Sequence, residues 1–434
     1  MNEKVSERLI SALGTAALCA VFAVWCAQSS YSAVGYIAAA VSMLLMLWLC
    51  LKFVPVWCEF WRCPERELSV PKSDADVCVR IFAAILVWDA LILLLGFVLR
   101  RALGYSESVG EYFDFWLCTD SRHYMDIARD WYLSEGSIDR LVQLVFLPGY
   151  PVVVRIASYL TGSVLSAGLV VSALSFAGAG CMLYKLLALD MENGAAKCAV
   201  CFFALSPAAF FFTAPMSESL FLLCSFSSLY LLRRGKVFPA VLLGAYAAFT
   251  RSVGIILLVP MLFELVHSRA KARDYLALAV VPLGFAAYCF INYTVSGDAF
   301  KFMYYQSSHW GQRLGWFFNT AAYQTENLIL SSGADRFGLW LPNILAQFVS
   351  IVIMLPAAKR LRASYTAHFI ASFVIAIGAT WLLSAPRYLA AIPALPAAMG
   401  TLSDKKDIRF VLAMLSFAAF LAYFVPFLLR WQVW

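Results

Sequence analysis

Charged residues are scarce in this chain of 434 residues. Asp, Glu, Lys and Arg together make up 14% of it, whereas apolar residues make up 62%. A soluble domain usually carries about a quarter charged residues, so this composition excludes an ordinary soluble fold. Apolar runs such as 9–28 and 33–54 approach the roughly 20 residues that cross a bilayer. The sequence therefore predicts an all-α polytopic membrane protein.

Several other signatures are also missing. The net charge is +7, but the basic residues lie in short loops and form no basic face with interleaved aromatics, which argues against nucleic-acid binding. Cys198 and Cys201 form a CxxC without a second pair or a nearby His, so they predict packing rather than a zinc site. We expect no metal and no other cofactor. The polar residues 1–8 precede two long apolar runs, which indicates a retained first span rather than a cleaved signal.

Basic loops orient the chain, because Lys and Arg mark the cytoplasmic side of short loops. They place the N-terminus, 52–80, Arg233–Lys236, 269–273, Lys359-Arg360 and 404–409 inside, and two long stretches at about 100–146 and 294–337 outside. Residues 238–266 would then leave and return to the inside, as two half-length helices meeting at Arg251. Residues 148–160 are too short for a full span and predict a re-entrant or interfacial helix.

This topology gives about eleven to thirteen membrane helices. We divide the chain into two extra N-terminal spans with a cytoplasmic linker (1–80) and a transmembrane catalytic domain (81–434). There is no detectable repeat. Asp89 is the only carboxylate near the centre of an apolar run, so a transporter, which would favour repeats and several midplane charges, is the less favoured class.

The first polar segment of interest is Trp116-Leu117-Cys118-Thr119-Asp120-Ser121-Arg122-His123-Tyr124 in the first outer stretch. An apolar stripe continues from it through Tyr124, Ile127, Ala128 and Trp131, which predicts a short interfacial helix. Asp120 precedes this helix. It is either only the helix N-cap or a general base for an acceptor hydroxyl.

Three further groups lie on the predicted outer side. Glu218, between two apolar runs, is either a solvated loop acid or a second acid in a polar cavity. Gln306 and His309 lie in the second outer loop, where a histidine either has no special role or binds an acceptor or phosphate. Arg251 and Arg387 stand at helix breaks. They either snorkel to the headgroups or bind a lipid phosphate.

Five segments in order resemble the PIG-V-type GPI mannosyltransferases. The segment around Asp120 is similar to the signature Trp-Asp-Ser-x-His-(Phe/Tyr)-x-x-Ile-Ala-x-x-Gly-Tyr, and residues 146–151 to Phe-Phe-Pro-Leu-Tyr-Pro. Residues 206–219 resemble Ser-Pro-Ala-x-x-Phe-x-x-Ala-x-Tyr-Ser-Glu-Ser, residues 251–254 Arg-Ser-x-Gly, and residues 386–388 Pro-Arg-Tyr. Thr119 stands where the family usually has Trp, and Trp131 where it usually has Gly. The residues before Arg80 have no counterpart.

The resemblance implies a GT-C helical bundle whose site faces the lumen or the exterior. It implies inverting transfer of mannose from a polyprenyl-phosphate carrier to a glycolipid hydroxyl, with Asp120 as base by its motif position. Arg251 and Arg387, at their helix breaks, are then expected to bind the donor phosphate. We expect acceptor or sugar contacts from five further side chains: His123, Glu218, Gln306, His309 and Tyr388. No Asp-x-Asp motif occurs on the predicted outer side, which favours a lipid-linked donor over a nucleotide sugar.

Several alternatives stay open on the sequence alone. The transferase could use another lipid-linked sugar or a cell-envelope acceptor, and this acceptor class would be favoured in a bacterium. The membrane would be the bacterial cell membrane or, in a eukaryote, that of the endoplasmic reticulum. A small membrane subunit could also take part, and nothing in the sequence identifies one.

Overall fold

The fold is built from helices. The computed structural model describes residues 3–64, 75–133, 141–380 and 382–433. Within these ranges the only β-pairing is one isolated bridge between Leu314 and Ala379. Parts of the predicted inner linker (65–74) and of the first outer stretch (134–140) lie outside the described residues.

The α-helices are numbered here in chain order. They are α1 (Glu3–Gln28), α2 (Ala33–Arg62), α3 (Ala75–Ala102), α4 (Val109–Phe115), α5 (Ser121–Asp130), α6 (Gly149–Thr161), α7 (Val164–Leu187), α8 (Asn193–Ala204), α9 (Phe210–Thr213), α10 (Glu218–Arg233), α11 (Val237–Thr250), α12 (Leu258–His267), α13 (Ala272–Ala277), α14 (Val281–Ser296), α15 (Lys301–Ser308), α16 (Phe317–Leu330), α17 (Leu341–Ala357), α18 (Ala363–Ile377), α19 (Ala385–Ala390), α20 (Ala394–Leu402) and α21 (Lys406–Leu428). Short 3-10 helices occur at Val142–Val145, Ser252–Leu257 and Leu278–Val280, and a π-helix at Asp335–Trp340.

Seven helical segments of the described chain are long and apolar enough to cross a membrane. They are Glu7–Gln28, Ala33–Arg62, Ala75–Ala102, Val164–Leu187, Ala272–Ser296, Asp335–Ala357 and Lys406–Leu428. Three shorter apolar helices, Val237–Thr250, Ser252–His267 and Ala363–Ile377, accompany them. The protein is therefore a multi-pass membrane protein. The sequence-based number of eleven to thirteen is larger because it included helices that are short or broken in the structure.

Helix α10 lies at the centre of the bundle, packed against α7 and α11. Most of its side chains are buried, including Glu218 at its first position and Arg233 at its last. Helix α3 packs on the other face of α7 at Gly180, where an added Cβ would lie 2.1 Å from Ile85 Cδ1. Helix α10 is about 22 Å long, so it connects one end of the bundle to the other.

The predicted break at Arg251 is present. Helix α11 ends at Thr250, Arg251 is extended (φ −147°, ψ 136°), and the chain resumes as a 3-10 helix from Ser252. It then runs back along α11, because an added Cβ on Gly254 would lie 2.5 Å from backbone atoms of Ala247 and Ala248. Arg233 lies just before the start of α11, and Glu264 near the end of the returning arm lies 3.3 Å from it. The two arms of the segment therefore begin and end on the same side of the bundle. Residues 237–267 therefore form the expected hairpin.

The short helices of the first outer stretch also follow the sequence pattern. Helix α5 buries Tyr124, Ile127 and Ala128 of the predicted stripe and packs against α6 and α7. Helix α6 has 13 residues, about 20 Å at 1.5 Å per residue, which is short for a full span. The stripe thus attaches α5 to the bundle.

The N-terminal helices are not set apart from the rest. Helix α2 packs against α16, α17 and α18, and Trp57 donates a 2.8 Å hydrogen bond to the Thr366 hydroxyl. The division of the chain at residue 80 remains a prediction. Asp89 in α3 is buried, and its Oδ1 accepts no hydrogen bond from any described residue.

Candidate active site

Four charged side chains from four distant segments meet at the N-terminal end of α10. Asp120, Glu218, Arg251 and Arg387, here called the Glu218 cluster, are joined by ion pairs. Arg387 Nη1 lies 2.8 Å from Asp120 Oδ2, and Arg387 Nε lies 3.4 Å from Glu218 Oε1. Arg251 Nη1 binds the same Glu218 oxygen. Each of the four belongs to one of the sequence segments singled out above.

Asp120 is not a helix cap. It occupies the N-cap position of α5 with φ −71° and ψ −21°, but its side chain makes no capping hydrogen bond. The carboxylate pairs with Arg387 instead, and its side chain remains 25% exposed, the most of the four. The capping interpretation is therefore wrong, because the carboxylate is turned towards the bundle rather than towards the free amides of α5.

Glu218 is not a solvated loop acid, since its side chain is only 2% exposed. Pro215 precedes it, and α10 starts at Glu218 with Ser217 as its N-cap. A carboxylate at a helix N-terminus is stabilised by the free amides and the helix dipole. Its Oε1 binds both arginines, whereas its buried Oε2 has no hydrogen-bond partner in the described chain. Glu218 is the second acid of a polar site.

Arg251 is held at the tip of the hairpin. Its Nη1 donates to Glu218 and, at 3.1 Å, to the Ser217 hydroxyl. The Ser217 hydroxyl also lies 2.9 Å from the Tyr124 hydroxyl of α5. Gly254 allows the tight return of the chain that places Arg251 here. Its side chain is 13% exposed and ion-paired, which contradicts the interpretation that it only snorkels to the headgroups.

Arg387 is positioned by a loop that buried amide side chains fix. The Asn343 side chain accepts from Ala385 N (2.6 Å) and donates to Leu383 O (3.1 Å). Gln324 donates to Leu382 O at 3.1 Å. The Arg387 side chain is 6% exposed, so it does not snorkel either. Tyr388 presents its ring to both guanidinium groups, at 5.7 Å from Arg251 and 5.4 Å from Arg387.

An aromatic row stands beside Asp120. His123 stacks on Phe146 with ring centroids 4.6 Å apart, and Phe146 contacts Trp310 edge-on at 5.9 Å. Trp310 in turn contacts His309 at 4.8 Å. Burial lowers the pKa of the His123 imidazole, although Asp120 and Asp126 act in the opposite direction. His123 is therefore neutral at physiological pH, able to donate and accept hydrogen bonds but not to act as a cation.

The second outer loop contributes less to the site. His309 reaches the aromatic row but is exposed. The Gln306 side chain donates to Gln312 in its own loop, and no described contact joins it to the Glu218 cluster. The structure thus brings Asp120, Glu218, Arg251, Arg387 and Tyr388 together and places His123 and His309 at the periphery. Gln306 is tied to its own loop.

Two residues of the site were not anticipated. Ser217 connects Arg251 to Tyr124, but in the sequence it is one of several serines beside Glu218. Tyr124 was assigned to the apolar stripe, which describes its ring but not its hydroxyl. Because a buried tyrosine hydroxyl requires a hydrogen-bond partner, a tyrosine in a buried stripe was itself a signal for a polar group nearby.

The cluster retains hydrogen-bonding capacity. In the described chain, the hydrogen bonds of Arg251 use only Nη1. The buried Nε of Arg387 lies near Glu218 but is not oriented to form a hydrogen bond with it. A guanidinium has five N–H donors and suits oxyanions. Glu218 Oε2 and Asp120 likewise remain as acceptors. The cluster therefore keeps donors that suit an anion and acceptors that suit a hydroxyl.

Comparisons with known proteins show what this chain is similar to. Residues 102–312 match the family model of mannosyltransferases of the PIG-V type. The match covers just under half of the chain, which is similar to that family over these residues. The matched part contains Asp120, Glu218 and Arg251, whereas Arg387 lies beyond its end.

Two curated relatives extend this likeness, both named GPI alpha-1,6-mannosyltransferase 2. The human protein is 32% identical over 148 residues, which is 32% of this chain and 29% of that protein. The rat protein is 30% identical over 202 residues, which is 43% of this chain and 39% of that protein. The PIG-V-like chain thus spans well under half the length of these relatives.

A solved structure shows the fold. ArnT from Cupriavidus metallidurans, crystallised with undecaprenyl phosphate, superposes with a TM-score of 0.52 at 15% identity. The superposition covers 80% of this chain and 63% of ArnT. The PIG-V-like chain therefore has the GT-C-type helical bundle that the resemblance implied.

Proposed function

We propose that the PIG-V-like chain transfers mannose from a polyprenyl-phosphate carrier to a hydroxyl of a GPI-like glycolipid, inverting the sugar carbon. The observation that carries this proposal is the Glu218 cluster. Its two buried arginines have unused N–H donors, and they adjoin the partly exposed Asp120 carboxylate. An anionic leaving group and a hydroxyl to be deprotonated require these two features side by side.

Asp120 acts as the general base. The acceptor hydroxyl gives its proton to Asp120 while its oxygen forms a bond to the sugar carbon, and the bond from that carbon to the phosphate oxygen breaks. Arg387 orients the carboxylate through the 2.8 Å ion pair. Attack and departure on opposite sides of the carbon invert its configuration. One base is enough, because phosphate is a weakly basic leaving group.

The phosphate oxygen keeps the electron pair of the broken bond, and Arg251 and Arg387 bind the resulting anion. Their free N–H groups stabilise the charge that develops on the departing oxygen. Glu218 fixes both guanidinium groups through one oxygen, so little reorganisation is needed during the reaction. That ArnT was crystallised with undecaprenyl phosphate supports a polyprenyl-phosphate donor for a chain of the same fold.

The aromatic row and Tyr388 provide the sugar contacts. Neutral His123 suits a sugar hydroxyl, and the rings of Phe146 and Trp310 offer apolar faces beside it. His309 marks the open end of the row, where an acceptor headgroup enters. Gln306 would reach the acceptor only after releasing Gln312.

The reaction itself can be tested with the purified full-length chain. We expect label to pass from radioactive polyprenyl-phosphate-mannose to a glycolipid in a membrane extract, and the Asp120→Asn variant to transfer none above background. The same assay with GDP-mannose as donor should give no product. Transfer from GDP-mannose alone, or equal transfer by Asp120→Asn, would contradict the proposal.

We place the site on the lumenal or external side, in the endoplasmic reticulum of a eukaryote or the cell membrane of a bacterium. The hairpin supports this placement, because the basic residues near Arg233 lie at the end opposite Arg251. Single cysteines introduced at Ser307 and Gly235 of a cysteine-free variant should react with impermeant thiol reagents from opposite sides. Labelling of both from the same side would contradict this topology.

A further inference from the structure

A ligand-sized groove lies far from the Glu218 cluster, between α3 and α8. It has a volume of about 380 Å³, and one face of each helix lines it. From α3 come Val77, Arg80, Ile81, Ala84, Ile85 and Trp88, and from α8 come Lys197, Val200, Cys201 and Ala204. The two sets repeat at three and four residues, so each is a continuous stripe.

The groove has one charged end and one apolar end. Arg80 and Lys197 lie near the start of the two stripes, and both are exposed. At the far end the Trp88 indole donates a 2.8 Å hydrogen bond to Ala204 O and closes the groove. The apolar part between Arg80 and Trp88 extends over about 12 Å along α3.

The cations at the charged end form no ion pair with a carboxylate of the described residues. Arg80 donates only to the backbone oxygen of Asp76, and Lys197 forms no ion pair in the described chain. A third exposed cation, Arg409 of α21, approaches Cys198, the neighbour of Lys197, at 3.7 Å. Within the described residues these exposed cations are therefore left to bind an anion such as a phosphate.

We propose that this groove binds an anionic phospholipid of the membrane. Its phosphate lies between Arg80 and Lys197, and one acyl chain follows the apolar stripes towards Trp88. Basic pockets between membrane helices recognise lipid headgroups in this way. The charged end lies at the end of the bundle opposite the Glu218 cluster, since α8 begins just after Asp190, which pairs with Arg233. The lipid therefore belongs to the other leaflet and is not the sugar donor.

The thermal stability of the full-length protein in detergent tests this proposal. Dioleoyl-phosphatidylglycerol should raise the apparent Tm by about 3 °C or more, as expected for a ligand that binds only the folded state. Phosphatidylcholine should raise it by less than half as much. Equal shifts with both lipids would show that the charged end does not select an anion and would overturn the proposal.

Three variants locate the effect. Arg80→Gln with Lys197→Gln should abolish the shift, and Ala84→Trp, which fills the groove without removing charge, should abolish it too. The matched control replaces two exposed cations elsewhere, Arg8→Gln with Lys359→Gln, and should keep the full shift. The Tm of each variant without lipid confirms folding. A full shift in either groove variant would overturn the assignment.

Discussion

Helix α10 ends in two charged clusters of the same composition, and they differ in how completely they are paired. At its first residue lies the Glu218 cluster. At its last residue Arg233 joins Asp190, Glu264 and Arg362, here called the Glu264 cluster. Each cluster has two carboxylates and two guanidinium groups, so the number of charges does not distinguish them.

The Glu264 cluster is saturated. Arg233 binds both oxygens of Asp190 at 2.8 and 2.9 Å, and Arg362 binds both oxygens of Glu264 at the same distances. Hydroxyl groups of Ser364 and Tyr365 donate to the same carboxylates. In the Glu218 cluster, by contrast, one carboxylate oxygen and one guanidinium nitrogen are buried without a hydrogen bond. Full pairing indicates a structural role, and incomplete pairing indicates a ligand site.

The largest expected effect contrasts one aspartate from each cluster. Asp120→Asn should lower kcat about 100-fold or more, because it removes the proposed general base, while the Tm in detergent changes little. Asp190→Asn should lower the Tm, because it removes a carboxylate that binds two arginines, while folded protein keeps its kcat. Transfer assays and melting curves on both variants measure the contrast. Near-normal turnover by Asp120→Asn would remove it from the base role.

Substitution of the two glutamates compares what each cluster contributes to the stability of the fold. Glu264→Gln should destabilise the protein by about 3–5 kcal/mol, because it breaks a buried, fully paired ion network. Glu218→Gln should cost clearly less stability, since one of its oxygens has no partner to lose, but it should impair transfer. Denaturant or thermal melts in a common detergent compare the two. If Glu218→Gln were the more destabilising change, the distinction between a structural and a functional cluster would fail.

Substitution of the two arginines should change the kinetics less, and by an amount that depends on the new side chain. Arg251→Ala and Arg387→Ala should each raise the donor KM or lower kcat by about tenfold or more, through loss of a charged hydrogen bond to phosphate. Arg251→Lys should recover part of the activity, because its charge remains. Arg387→Lys should recover little, because a single ammonium does not reproduce the contacts with both Asp120 and Glu218. Unchanged kinetics in both alanine variants would exclude them from the donor site.

Sequence reasoning found the Glu218 cluster and missed the Glu264 cluster for one reason. Asp120, Glu218, Arg251 and Arg387 stand alone among apolar residues or at helix breaks, where a charge is conspicuous. Asp190, Glu264 and Arg362 stand near loops that carry other charges, so none of them was conspicuous. Their burial arises when α10, α12 and the residues before α18 converge, and single-segment patterns contain no information about that convergence.

The hairpin at Arg251 shows what loop charges can predict. The basic residues at 233–236 and 269–273 both belong on the inner side, so the chain between them must cross the membrane an even number of times. A single apolar run there must therefore be broken into two arms. The partners of Arg251 could not be derived in this way. Its ion pair with Glu218 and its hydrogen bond to Ser217 join segments whose proximity depends on the packing of α10 against α11.

Backbone strain adds a last difference between the clusters. Thr119, directly before Asp120, has φ 51°, and Trp131 at the end of α5 has φ 67° and ψ −169°. No residue of the Glu264 cluster has a positive φ. Trp131 stands where the related family usually has glycine, in a backbone region that favours glycine strongly.

Two substitutions of Trp131 separate this strain from the packing of its ring. Both Trp131→Ala and Trp131→Gly lose the 5.1 Å contact with the Tyr132 ring, but only alanine keeps the strained Cβ. The glycine variant should therefore be the more stable of the two by about 1–2 kcal/mol, measured by thermal melting in one detergent. An alanine variant as stable as the glycine variant would show that α5 ends without strain at this residue.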